Sequence, residues 1–292
     1  MSAVLAIAGA TIREASRKKL VVALALITLV GIALTGFGFW RLTVLSHQMT
    51  SEGSPRLSVT ELKTVTSQLL IVAMFAFSFV LALSTVFMAA PSIAGELESG
   101  VAAAVLTRPI RRVQFLAGKW LGLAVLTVGY VTVASTLEFV IVDLVTGYRP
   151  PHPVQFMVFL SAEALVTLSL TTLLSTRMSP VTGGVVALGG FMLAWMGGIA
   201  VALGAVLNNQ GVATVGAVTR MIMPSDGLWR GAIYSLEPAA WIATVLGSGR
   251  TQAAANPFFA PSGPPVAYLL WVGVWAVAVF SAASWSFRRR EI

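Results

Sequence analysis

No cysteine occurs in the 292 residues. That excludes a disulfide framework, a thiolate metal site and a cysteine nucleophile. Charge is scarce too: Asp, Glu, Lys and Arg make up 10% of the chain, against about 25% in a soluble globular domain. A soluble fold of this size would lack the side chains to dress its surface. Histidine is nearly missing. His47 and His152 fall in predicted external loops, with no acidic or histidine cluster at ligand spacing, so neither metal nor histidine chemistry has a constellation to rest on. A G-x-x-x-x-G-K-[ST] phosphate loop is also lacking, because Gly118-Lys119 has no matching upstream glycine. ATP binding is therefore not expected of this chain, and no cofactor is predicted.

What the chain has is apolar length. Hydrophobic residues make up 57% of it, and mean hydropathy is +0.87. They fall in blocks of about 20, and 20 residues at about 1.5 Å rise span a hydrocarbon core of about 30 Å. None of the blocks alternates as a strand would, so they are expected to be helices. The fold class predicted is an all-α polytopic membrane protein forming a single transmembrane domain over 1–292. Six spans are expected at 20–40, 68–90, 120–142, 154–176, 181–207 and 266–287.

An even number of spans puts both termini on one side. That side holds Arg13, Arg17, Lys18, Lys19, Arg108, Arg111, Arg112, Lys119, Arg177 and Arg288 to Arg290, twelve of the nineteen basic residues. The other seven lie in much longer loops. The bias makes the first side cytoplasmic. It also accounts for the net charge of +8 without nucleic acid, since the basic residues flank spans and form no separate domain. The first segment, 1–19, is not expected to be a signal peptide: its basic cluster follows the apolar residues, and no small-residue cleavage site comes after. Val4, Leu5, Ala8, Ile12 and Ala15 share one helical face opposite Arg13, Glu14, Arg17 and Lys18, with Ile7 breaking the pattern. This predicts an interfacial helix on the inner leaflet. The other reading is a plain positive flank.

The connection at 91–119 carries the most information. Gly95 and Gly100 bracket Glu96 and Glu98, and Val101 to Thr107 suits a helix too short to span. Arg108 precedes Pro109, which disfavours helix at Arg108 and breaks the chain. Pro109 then suits the first turn of a new helix, through Arg111 and Arg112 into the third span. A short cytoplasmic helix with acids on one side and bases on the other fits the docking of a soluble partner by charge and shape. A solvated loop whose basic residues only fix topology is the other reading.

This stretch resembles the permeases of type-2 ABC transporters. The family's form is G-E-x-E-x-G-T, then L-L-x-x-P-x-x-R, then a G-K leading into the third span. Here stand Gly95-Glu96-Leu97-Glu98-Ser99-Gly100, then Val105-Leu106-Thr107-Arg108-Pro109-Ile110-Arg111-Arg112, then Gly118-Lys119. The chain departs at Val101, where the family often has Thr, and at Ala102 to Ala104, where Glu and Leu are usual. The likeness extends to the six spans, the long fifth-to-sixth connection and the short basic tail. It implies a permease subunit in the plasma membrane (the inner membrane of a bacterium), forming half of the path of an ATP-driven exporter. It further implies a separate ATP-binding cassette subunit, in two copies per complex, and a second permease subunit, identical or different. The coupling interface would comprise Glu96, Glu98, Gly100, Leu106, Arg108, Pro109, Arg111 and Arg112. Lipid is the remaining partner, and nucleic acid is not one.

Within the spans, Glu138 and Glu163 are the two carboxylates, and Asp143 lies at a span end. A charge at mid-bilayer costs about 2.5–3.5 kcal/mol on insertion scales, so both should face the bundle interior or be protonated. They line a translocation path or form a proton site, or they are satisfied by Ser or Thr hydroxyls of a neighbouring helix. Gly183, Gly190, Gly197, Gly204 and Gly211 recur every seven residues, which keeps nearly one helix face, drifting about 20° per heptad. That is a helix-packing face, static or moving. The segment 208–265 holds apolar pieces too short to cross, Gly211 to Met223 and Ala239 to Leu246, and reads as external or re-entrant short helices. A secondary transporter or channel would show an internal repeat, and none is evident between the halves. An intramembrane enzyme would need clustered catalytic groups at membrane depth, where only Glu138 and Glu163 stand.

Overall fold

The computed structural model describes residues 3–48, 58–107, 110–249 and 256–290. Among them there is no strand. The chain opens with α1 (Ala3–Ser16), followed by α2 (Lys19–Gln48) and α3 (Val59–Ala90). A π-helical turn, Pro91–Gly95, leads into a single turn, α4 (Glu96–Glu98), and then α5 (Val101–Leu106). Next come α6 (Arg112–Thr146), α7 (Pro153–Ser175) and α8 (Pro180–Val206). Three shorter helices follow, α9 (Gln210–Ile222), α10 (Ser225–Leu236) and α11 (Ala239–Gly247), and α12 (Val266–Arg288) closes the chain. Six of these, α2, α3, α6, α7, α8 and α12, are long and apolar enough to cross a membrane.

Local sequence explains the helix ends. Ser58 caps α3 in a box with Glu61: the Ser58 hydroxyl accepts the Glu61 N–H, and the Glu61 carboxylate accepts the Ser58 N–H. Proline begins α7 and α8, where its missing N–H is no loss. Gly147 ends α6 in the left-handed conformation, φ 67°. The helices reach past the apolar runs from which spans are read. α3 starts at Val59 rather than Gln68, and α6, expected to run through Arg111 and Arg112 into the third span, begins at Arg112.

The centre is α7, which packs against α3, α6, α8, α10 and α12. Phe156, Leu160, Leu70, Ile71 and Leu228 are fully buried there. α10 is sunk into this core although it is only 12 residues long. Gly227 and Gly231 allow it: the Gly231 Cα lies so near the Phe159 ring that a Cβ would stand 2.9 Å from it, and Gly227 faces the Tyr268 ring more closely still. Outward-facing positions are apolar, with Leu34, Phe37, Val133 and Leu270 all more than half exposed. In water that surface would be prohibitive, and in lipid it is the ordinary exterior.

α1 packs on the start of α6. Gly118 and Gly122 make the groove, and Cβ atoms there would clash with Ile7 and with Ala8 and Thr11. The buried face of α1 is Ala8, Thr11 and Ala15. Ile7, which breaks the apolar face in the sequence, sits at the centre of this contact, while Leu5 is 53% exposed.

Candidate functional site

The segment after α3 turns inward before it turns out. Ser92, Ile93 and Ala94 of the π-turn are buried. They bring Glu96 to the Lys119 ammonium, with which it pairs. Lys119 is 7% exposed and also lies 3.4 Å from Glu14 of α1, which in turn pairs with Lys18 at 2.8 Å. Burial pushes the Glu14 carboxyl up, but the Lys18 and Lys119 ammonium groups outweigh it and hold Glu14 below the usual carboxylate range. One lysine thus ties α1, α4 and α6 together. Glu98 is exposed and has no ion pair among the described residues.

Gly100 adopts φ 76°, the left-handed turn that lets α5 leave α4 at a new angle. Ala102 then packs inward on Ile93, Phe115, Leu116 and Phe287, leaving Val101 and Ala104 exposed. Arg108 and Pro109 lie outside the described residues, as does the side chain of Leu106. Arg111 is the exposed N-cap of α6, its N–H donating to Gln114 Oε1 at 3.0 Å. Arg112 is engaged internally. Its Nη1 donates to the carbonyls of Phe287 at 3.3 Å, of Arg288 at 3.2 Å and of Arg290, closing the end of α12. Arg290 donates to the Thr176 carbonyl at 2.7 Å, and Arg177 to Ser286 Oγ at 2.9 Å. The basic residues flanking α6, α7 and α12 therefore gather at one end of the bundle, the end at which α1 and α5 lie.

The two span carboxyls have separate surroundings. Glu138 of α6 is 1% exposed, and Thr35 of α2 lies 3.0 Å from its Oε2. Glu163 of α7 is 4% exposed, with Ser78 Oγ of α3 at 3.2 Å from both carboxylate oxygens. On α8, Cβ atoms at Gly197 and Gly204 would run into α9, 2.9 Å from the Gly216 carbonyl and 2.5 Å from the Ala213 nitrogen. Gly190 would meet Leu170 and Met223 at 3.2 Å, and Gly183 has ordinary contacts at 3.6 Å.

A family model described as an ABC-2 family transporter protein matches residues 5–292. The chain belongs to the ABC-2 transporter family. Among curated proteins none matches it. Membership makes the protein a multi-pass permease subunit of an ABC transporter, and implies in general an ATP-binding cassette partner.

Three features of this ABC-2 permease escape the sequence reading. Gly118 and Gly122 hold α1, and their four-residue spacing is the small-xxx-small signal that would have found them. Asp226 of α10 is buried between Arg220 at 2.5 Å and Arg230 at 3.1 Å, against Gly198. The i, i+4 spacing of Asp226 and Arg230 is legible, but the partner from α9 is not. Glu237, just after α10, is 2% exposed, and its Oε2 accepts the Ala260 N–H at 3.3 Å. Burial pushes this carboxyl up to about 8.

Proposed function

We propose that the chain forms half of the translocation path of an ATP-driven exporter, and that a separate ATP-binding subunit docks on the end where α4 and α5 project. The observation that carries this reading is the split between the two acids of α4. Glu96 is bound to Lys119 and anchors the segment to α1 and α6, while Glu98, Val101 and Ala104 face out. A lever needs both an anchored root and a free face. Push on α5 is then delivered to the start of the third span through Lys119 and through Ala102 packed on Phe115 and Leu116.

In this reading the coupling surface comprises Glu98, Arg111 and the outer face of α5. Glu96, Gly100 and Arg112 position it, and Leu106, Arg108 and Pro109 complete the connection. The end rich in Arg and Lys is cytoplasmic, both termini included, in the plasma membrane. Two ATP-binding subunits and a second permease, identical or different, complete the transporter. Glu163, faced by Ser78, belongs to helix packing; Glu138 belongs to the path.

The test is co-purification of the ATP-binding subunit from membranes. Glu98→Lys combined with Ala104→Glu should abolish co-purification and transport-coupled ATP hydrolysis at normal membrane levels of the permease. Glu96→Lys should instead lower the permease level itself, because it places a second cation beside buried Lys119. Undiminished docking by the Glu98/Ala104 variant would overturn the assignment. The chain purified alone should hydrolyse no ATP.

A further inference from the structure

Between α2, α3 and α6 lies a cavity of about 180 Å³. Ile27, Gly31, Ile32, Met74 and Phe77 are among the apolar residues of its wall, and Glu138 is the one ionisable acid or base in it. Oε1 of Glu138 has no hydrogen-bond partner among the described residues, although the residue is 1% exposed. Thr35 cannot make good the lack. Its hydroxyl stands 3.0 Å from Glu138 Oε2 and equally 3.0 Å from the Ile32 carbonyl, and its single proton serves one acceptor at a time. Glu163 is arranged otherwise, with Ser78 Oγ close to both oxygens. Buried polar atoms are nearly always paired, and an exception calls for a partner.

The cavity sets the partner's shape. Apolar cavities of roughly 150 Å³ take a benzene ring, whereas whole drug-sized ligands need roughly 300–1,000 Å³. Only a ring or a short chain fits. Ile27 on its rim is 55% exposed, as are its neighbours on α2, so the cavity opens sideways onto the apolar exterior and is reached from lipid. A carboxylate in such a wall pairs best with a cationic donor, because charge-assisted hydrogen bonds are about twice as strong as neutral ones. An anionic amphiphile would face it with like charge.

We propose that this cavity takes the apolar end of a membrane-partitioned amine whose ammonium pairs with Glu138. The proposal deepens the exporter reading and rests on it for the claim that the amine is cargo. Binding itself needs neither ATP nor a partner.

The experiment uses the full chain in phospholipid nanodiscs and tritiated 4-phenylbutylamine, with unlabelled 4-phenylbutyrate as competitor. Saturable binding is expected, with no competition by the acid. Glu138→Gln should weaken it by roughly 10- to 100-fold, the loss that follows removal of one charge-assisted hydrogen bond. Gly31→Leu should abolish it by filling the space; nothing lies within 4 Å of a Cβ at Gly31, so the fold should tolerate it. Gly38→Leu, equally open but outside the cavity wall, should bind as the native chain does. The proposal is overturned by lack of saturable binding to the native chain, by unchanged affinity in both cavity variants, or by equal competition from the acid. Glu138-dependent binding supports it whether or not the amine stimulates ATP hydrolysis by the assembled transporter; that stimulation bears on the exporter reading alone.

Discussion

Small residues and buried ions hold this permease together, and both can be tested one side chain at a time. Where lipid supplies no hydrophobic drive between helices, close backbone approach and polar pairs supply the cohesion. Gly204 lies against the Ala213 backbone, and Gly197 against the Gly216 carbonyl and Thr219. Replacing either with Leu should cost about 1–3 kcal/mol or more through overpacking, read as a lower melting temperature in detergent. Gly189→Leu is the control, with nothing within 4 Å of its Cβ. Equal melting of all three variants would remove α9 as the partner of this face. Lys119 gives a second test. Lys119→Met leaves Glu96 without its cation while Glu14 keeps Lys18, and breaking a buried pair costs about 3–5 kcal/mol. Glu14→Gln should cost well under that, because Glu14 is 45% exposed and solvent screens it. A larger loss from Glu14→Gln than from Lys119→Met would contradict the central place given to Lys119.

At the scale of elements, the six long helices are legible because hydropathy over about 20 residues is a local property. The start of α3 is not, since it continues through polar residues that hydropathy discards, whereas the start of α6 ahead of its apolar run is signalled by Pro109. Short elements divide similarly. α5 was visible from Gly100 and the apolar run after it, yet the burial of α10 depends on Tyr268 and Phe159, distant in sequence, closing over Gly227 and Gly231. The same holds for the candidate site. Glu96 and Arg112 are legible as charges in a segment that reads as a docking element, but their use against Lys119 and the end of α12 is a tertiary fact. α10 carries a pH prediction. Glu237 has a folded pKa of about 8, above the value of about 4.3 for an exposed glutamate. Its proton is bound more tightly in the folded state, so its contribution is fully present below pH of about 4.3 and lost as pH rises through about 8. Thermal stability should therefore fall between pH 5 and 8.5, and Glu237→Gln should flatten that slope. An unchanged slope in the variant would assign the pH dependence to another group.

At the scale of the molecule, the question is which surface each end of the bundle meets. α12 has 23 residues, about 34 Å at 1.5 Å per residue, enough to cross a hydrocarbon core of about 30 Å. Ser262 lies just before its first turn, and Arg288 is its last residue. Arg112 donates to the Arg288 carbonyl, so the start of α6 is fixed to the far end of α12 from Ser262. Ser99 stands at that same far end, between Glu98 and α5, and both serines are exposed. The two positions are therefore a membrane thickness apart, and in the orientation proposed above, which rests on the bias of basic residues, Ser99 faces the cytoplasm. Since the chain has no cysteine of its own, Ser262→Cys and Ser99→Cys each introduce a single reactive thiol. A membrane-impermeant maleimide added to intact cells should label Ser262→Cys at once, and Ser99→Cys only after the membrane is opened. The reverse pattern would invert the protein and place the proposed coupling surface beyond the reach of ATP. Labelling of both from outside would mean that one of the six helices does not cross, and that the shared end built by Arg112, Arg177 and Arg290 lies on neither side alone.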